Sequence, residues 1–376
     1  MSNNRSIFEE VDQKQPNAPA EKPSGGTSRN GIVIWLMMLF FLVAAMIVVG
    51  GLTRLTDSGL SITEWAPVTG AIPPLSATDW LAEFDKYQQI PEFTLVNSAM
   101  TLEEFKTIYW WEWGHRFLGR IVGLVWFVGF VWFLVRKAIP TGWTPRFLAL
   151  GLLGGLQGAI GWWMVSSGLT GRMVDVASYR LAIHLGLAFL ILGLIAWFIL
   201  ELRLSGAELL QARRRREGGL MRLTTILIGV VFVQILLGAL VAGIDAGRSF
   251  PTWPSMNGEF LPSESFGYSP LWTNFFENPA LVQFNHRMLG YLALAFGGFV
   301  WWRSRNSALS GVRAVHVMAF GMLVFQMVLG ILTAIYAAPL HAAITHQLGA
   351  VVLMVLIIRA RFETAYPAEQ KIARGV

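Results

Sequence analysis

Tyr109-Trp110-Trp111-Glu112-Trp113-Gly114-His115-Arg116 leads a polar segment into an apolar stretch that continues to about residue 135. Its end returns later in the chain, where His115-Arg116-Phe117-Leu118-Gly119 is echoed by His286-Arg287-Met288-Leu289-Gly290. Outward from this pair, Asp57, Gly59, Trp65, Gly70 and Pro74 recur as Asp245, Gly247, Trp253, Gly258 and Pro262, all at one offset of 188 residues. Gln157-Gly158 followed by His184 is likewise echoed by Gln326 followed by His346. Five matches at one offset imply a duplicated unit. Apolar segments long enough to cross roughly 30 Å of hydrocarbon fall at 32–53, 115–135, 146–166 and 180–200, then at 223–243, 286–302, 314–335 and 341–358. An even number of crossings per unit gives both units one orientation. The sequence therefore predicts an all-α integral membrane protein whose eight transmembrane helices form two pseudo-symmetric four-helix bundles.

Composition agrees. The 376 residues are 54% hydrophobic and 14% charged, too apolar for a soluble chain of this length. The 16 Trp fit aromatic belts at the membrane surfaces. A net charge of +6 reflects membrane orientation rather than nucleic-acid binding. Cys is absent, which excludes disulfides, thiolate metal sites and iron–sulfur clusters and leaves six His as the principal soft-metal ligands.

Basic residues cluster before 32, at 136–146, 203–222 and 303–313, and after 358, accounting for 20 of the 29 Lys and Arg. All lie on one side in an eight-helix arrangement, so the positive-inside rule places both termini in the cytoplasm and the loops 54–114 and 244–285 outside. Residues 1–31 read as a disordered cytoplasmic tail and not a targeting peptide, because Glu9, Glu10, Asp12 and Glu21 oppose a presequence. The remaining divisions are an N-terminal bundle at 32–202, a basic cytoplasmic linker at 203–222, a C-terminal bundle at 223–360 and a cytoplasmic tail at 361–376. The expected setting is a bacterial inner membrane.

The repeat puts His115 and His184 on the second and fourth helices of the first half, and His286 and His346 on those of the second. Two imidazoles facing across a four-helix bundle suit a haem iron gripped from both sides. Arg116 and Arg287, each one residue beyond a His, are candidates for meeting propionates. Two plainer readings compete: each His hydrogen-bonds to a neighbouring helix, or the set binds zinc, although the second half lacks the acidic partners zinc favours. His316 reads as interfacial, and His341 as a propionate or quinol contact or a structural residue. The run Gly151 to Gly155 with Gly158 reads as close helix packing, and Arg213 to Arg216 as a topology signal. Glu112, one helical turn before His115, becomes Gln283 in the second half, and Thr101 with Glu104 forms a capping box for a helix leading towards it. The first half thus reads as equipped for reaction and the second for holding a cofactor. The structural alternative for Glu112 is an ion pair with Arg116 or Arg172.

From 32 to 360 the chain resembles the haem A synthase family, in its cysteine-free branch typical of proteobacteria and mitochondria. The resemblance rests on Gly50-Gly51-Leu52-Thr53-Arg54, Ser61-Ile62-Thr63-Glu64-Trp65, Glu112 through Arg116, and the contexts of His184, His286 and His346. It implies oxidation of the C8 methyl of haem O to the formyl of haem A for cytochrome oxidase, through hydroxylated intermediates with oxygen from water. It further implies that His115 and His184 face substrate haem O, that His286 and His346 ligate haem b, and that Glu112 is the catalytic acid residue. The resemblance implies a haem O synthase and the cytochrome oxidase assembly machinery as partners; the composition adds the lipid bilayer and argues against nucleic acid, and a homo-oligomer is left open. Some relatives carry an outer-loop cysteine pair, which this chain lacks. Two other functions fit four paired His: a non-catalytic dihaem electron-transfer cytochrome, and a haem carrier or assembly factor without turnover.

Overall fold

The computed structural model describes residues 25–171 and 173–368. The tails at 1–24 and 369–376, and Arg172 as a partner for Glu112, lie outside the described residues. Among those described there is no strand, only an isolated bridge between Met256 and Glu259.

Eight helices of 22 to 34 residues make the body: α1 Gly25–Leu55, α2 Leu102–Val135, α3 Thr144–Val165, α4 Ser178–Leu202, α5 Gly218–Gly243, α6 Pro279–Ser304, α7 Ser310–Ile335 and α8 Leu340–Ala365. Seven are long and apolar enough to cross a membrane, and the chain is a multi-pass membrane protein. The exception is α6, whose N-terminal third carries Gln283, Asn285, His286 and Arg287.

Two boundaries differ from the sequence reading. The tail expected to be disordered to residue 31 is helical from Gly25, because Ser28, Arg29 and Asn30 extend a helix whose apolar body is already formed. The tail expected from 361 is helical to Ala365. The segment expected to start near 115 is also longer. Glu104 N–H donates to the Thr101 hydroxyl and Thr101 N–H to the Glu104 carboxylate, and from this box one helix runs unbroken to Val135. At 1.5 Å per residue it is about 50 Å long, and the 20 residues from His115 onward span about 30 Å, one hydrocarbon thickness. Glu112 and His115 therefore share one rigid rod at the edge of its spanning part.

In the first half α1 and α3 each pack against α2 and α4, and in the second α5 and α7 each pack against α6 and α8. The halves join through α4 against α5 and α8, and α1 against α8. Along α1 the buried residues Ile32, Leu36, Leu39, Val43 and Ile47 keep the three- and four-residue spacing of a single helical stripe, and join Leu192, Ile195 and Ile199 of α4 and Ile357 of α8 in one core. The opposite surface of α2 exposes Leu124, Phe127, Val128 and Trp132, as a lipid-facing helix does. After α1 and α5 the chain turns at Asp57 and Asp245, repeat-matched residues with φ of 50° and 51°. Asp tolerates this left-handed conformation better than most residues.

Arg54 fastens the halves where α1 ends, pairing with Asp57 at 2.7 Å, Asp175 at 3.5 Å and Asp245 of the second half at 3.0 Å. Gln347 of α8 adds a second fastening by donating to the Ile47 carbonyl at 2.6 Å, in a space that a side chain on Gly51 would fill. Gly151 admits the Trp126 ring, as close packing requires, whereas Gly154, Gly155 and Gly158 face open space. His316 is buried rather than interfacial. Its Nδ1 lies 2.8 Å from the Val312 carbonyl and its Nε2 3.1 Å from Thr224 Oγ1, so it ties α7 to α5.

Candidate functional site

Each of the four repeated histidines lies against a glycine of a neighbouring helix. A Cβ on Gly50 of α1 would stand 3.0 Å from His115 Nε2, and one on Gly161 of α3 would stand 2.9 Å from His184 Cε1. In the second half the corresponding approaches are 3.0 Å from Gly238 of α5 to His286 and 3.2 Å from Gly330 of α7 to His346. Missing side chains thus leave room for four rings inside the bundles. The sequence reading passed over these glycines, although Gly50 and Gly238 share the 188-residue offset. The rings of His286 and His346 lie with centres 6.4 Å apart and planes at 85°, in an edge-on arrangement.

Glutamines brace three of the four. Gln157 donates to the His184 backbone carbonyl at 3.0 Å, Gln326 to that of His346 at 3.0 Å and Gln234 to that of His286 at 2.9 Å. The amide oxygens of all three, with Nδ1 of His184 and of His346, are buried and have no hydrogen-bond partner. Buried orphans of this kind are rare in native interiors and suit a site built to take a polar or metal-bearing group.

Glu112 is 2% exposed and is clamped by the loop that follows α1. Its Oε2 accepts from Ser61 Oγ and from Ile62 N–H, both at 2.7 Å, while Oε1 accepts from Arg116 Nε at 3.0 Å and Nη2 at 2.6 Å. The ion pair named as the structural alternative is therefore present with Arg116. Arg116 also donates to the carbonyls of Ile62 at 2.7 Å and Glu64 at 2.9 Å. Arg287 repeats this geometry on Phe250 at 2.7 Å and Thr252 at 2.8 Å, again at the 188-residue offset. These contacts tie both guanidinium groups to their loops, while Arg287 Nε remains buried without a partner. Gln283, where Glu112 would recur, is buried and donates weakly to the Phe250 carbonyl at 3.5 Å. His341 is exposed at the start of α8.

A second buried acid lies in the first outer loop. Glu92, in the short helix Pro91–Leu95, is 6% exposed and its Oε2 has no partner. Burial, reinforced by the charges of Asp175, Glu112 and Asp57, pushes its carboxyl up to about 8 from the ordinary 4.5. A raised carboxyl leaves the folded state holding a proton that the unfolded chain has released. Stability should therefore fall as pH climbs from about 4.5 towards about 8. Glu92→Gln removes this contribution, so melting temperatures measured across the window should decline less steeply than in the parent; an identical slope would contradict the assignment.

The sequence profile of a family described as cytochrome oxidase assembly protein matches residues 33–358. The haem A synthase of Dinoroseobacter shibae is 61% identical, with all of both chains covered. Those of Paracoccus denitrificans and Ruegeria pomeroyi are each 58% identical over 98% of both chains. The chain belongs to the haem A synthase family.

Within the haem A synthase family fold, the motifs that carried the resemblance acquire physical meanings. In Gly50-Gly51-Leu52-Thr53-Arg54, the first glycine cradles His115, the second admits Gln347 and the arginine joins the halves. In the Ser61-to-Trp65 run, Ser61 and Ile62 hold Glu112, and the carbonyls of Ile62 and Glu64 hold Arg116. The second-half pocket also passes a test of fit. With metal–nitrogen bonds of about 2 Å and ring nitrogens about 1.1 Å from the ring centre, two imidazoles on one iron place their centres about 6 Å apart. The observed separation is 6.4 Å. Among the described residues no cluster of three or more His, Asp, Glu or Cys could hold a bare metal ion.

Proposed function

We infer that this chain is a haem A synthase, which oxidises the C8 methyl of haem O to a formyl group. Haem O is then the substrate and haem A the product for cytochrome oxidase. The overall change consumes one water and releases four electrons and four protons. The observation that carries this reading is an asymmetry inside a repeat: Glu112 is held by four donors beside His115, whereas the second half has Gln283.

In this reading His115 and His184 receive the substrate, and His286 and His346 hold haem b, which supplies one-electron redox chemistry when bound. Ser61, Ile62 and Arg116 fix the Glu112 carboxylate so that no reorganisation is needed when charge develops. A fixed carboxylate stabilises positive charge at the reacting carbon and accepts a proton from water. Arg116 and Arg287 act by strapping their loops over the sites.

The architecture assigned here is eight membrane crossings as two pseudo-symmetric bundles, 32–202 and 223–360, joined by the basic linker 203–222. Both termini then face the cytoplasm of a bacterium and the haem sites lie towards the periplasmic side of the inner membrane. Haem O synthase is the proposed donor of substrate.

Expression in a host that makes haem O but no haem A tests the activity. Haem A should appear in acid-solvent extracts of its membranes, and membranes containing the protein and haem O but no haem A or hydroxylated haem would contradict the reading. Ligation has its own test in the glycine cradles. Gly238→Ala puts a Cβ against His286, so it should diminish the low-spin haem b spectrum, whereas Gly321→Ala, where a Cβ meets nothing within 4 Å, should leave it intact.

A further inference from the structure

Three of the four repeated histidines are braced by glutamine, and the exception is the one beside Glu112. The residue that braces His286 is Gln234, which packs over Gly290, one turn beyond that histidine; a Cβ on Gly290 would stand 3.2 Å from Gln234 Nε2. The repeat pairs Gly290 with Gly119, and Gln234 with Met46 at the 188-residue offset. The structure agrees with this pairing, because the residue closest to a Cβ on Gly119 is Met46, at 3.6 Å from its Cε. Where the second half places an amide, the first half places a thioether, at the same position of the same interhelical contact.

The difference matters for an imidazole that binds iron. With one ring nitrogen given to the metal, the other carries an N–H, and an acceptor for it fixes the ring and strengthens the ligand. Gln234 Nε2 lies 3.2 Å from His286 Nδ1 and Gln157 Nε2 3.4 Å from His184 Nε2. The amide oxygens of Gln157, Gln234 and Gln326 are buried without a partner, so turning over the amide of Gln234 or Gln157 presents an acceptor to the ring N–H. Methionine sulfur is only a weak acceptor. A site that takes in substrate and expels product must open one of its two ligands, whereas a site that keeps its cofactor must open neither.

We propose that Met46 makes His115 the exchangeable ligand of the first site. His184, braced by Gln157, stays in place while His115 lets go, and product leaves on the side of α1 and α2. The inference rests on the reading that the four histidines ligate haem iron.

Methionine and glutamine are close in length, so exchanging them tests the amide rather than the volume. Full-length Met46→Gln and Gln234→Met, purified in detergent, are mixed with excess apomyoglobin, and the departure of each haem is followed by its chromatographic identity and low-spin electron paramagnetic resonance signal. Met46→Gln should slow departure from the first site by roughly tenfold and shift its signal, leaving haem b unaffected. Gln234→Met should hasten loss of haem b by a similar factor, and Met46→Leu should behave as the parent. Unchanged departure in both glutamine exchanges, or slowing by Met46→Leu as well, would overturn the proposal. His115→Ala keeps the two readings separable: if it alters neither occupancy nor signal at the first site, the ligation reading has failed.

Discussion

Glu112→Gln should purify with its haems and fail to oxidise haem O. The second half is a natural control for folding, since Gln283 occupies the same place and its loop is still held by Arg287. In the variant the amide oxygen keeps the position that accepts from Ser61 and Ile62, but the amide nitrogen meets the guanidinium of Arg116, donor against donor. Arg116 retains the carbonyls of Ile62 and Glu64, so the cost to folding should be limited to about 1–3 kcal/mol. The cost to catalysis should be far larger, because the carboxylate charge that the proposed mechanism uses is gone: at least about 100-fold in haem A formation. Haem A yield per bound haem O, measured beside the melting temperature, separates the two effects. A variant that melts like the parent and converts haem O fully would show Glu112 to be the loop fastener that its ion pair with Arg116 also permits.

The second large effect concerns the other half. His286→Ala or His346→Ala removes one of two rings whose centres lie 6.4 Å apart, leaving a single imidazole at the site. Haem b content, read as a pyridine haemochrome per chain, should fall to a small fraction of the parent's in either variant. His184→Ala should leave haem b in place and instead empty the first site. Wild-type haem b content in both second-half variants would refute ligation by this pair and move the cofactor elsewhere in the bundle.

Much of this was legible in the sequence because duplication turns single residues into pairs. One histidine in an apolar helix says little; four at repeated positions select two helices in each half, and the structure seats all four against glycines. The capping box at Thr101 was equally readable, because it depends only on neighbours three residues apart. What escaped depends on which surfaces meet. Arg116 and Arg287 stood out as charges beside a His, and the ion pair of Arg116 with Glu112 as one alternative; that both guanidinium groups hold loop carbonyls is announced by no local pattern. The repeat picked out Gln157 and Gln326, but not Gln234, the bracing contacts or the burial of Glu92, which arise between helices or within a long loop, where spacing along one element is silent. The sequence predicts a helix opening at Thr101 and a span from about 115; that the two are one unbroken α2 was missed, because the polar N-terminal third falls outside a membrane-spanning average.

The central claim is that one half converts a haem while the other keeps one. It is tested most directly by purifying the protein from cells that make haem O, extracting its haems in acid solvent and separating them by chromatography. The account predicts haem b together with haem O, haem A or a hydroxylated intermediate. Haem b alone, filling both sites, would contradict it and identify an electron-transfer cytochrome instead.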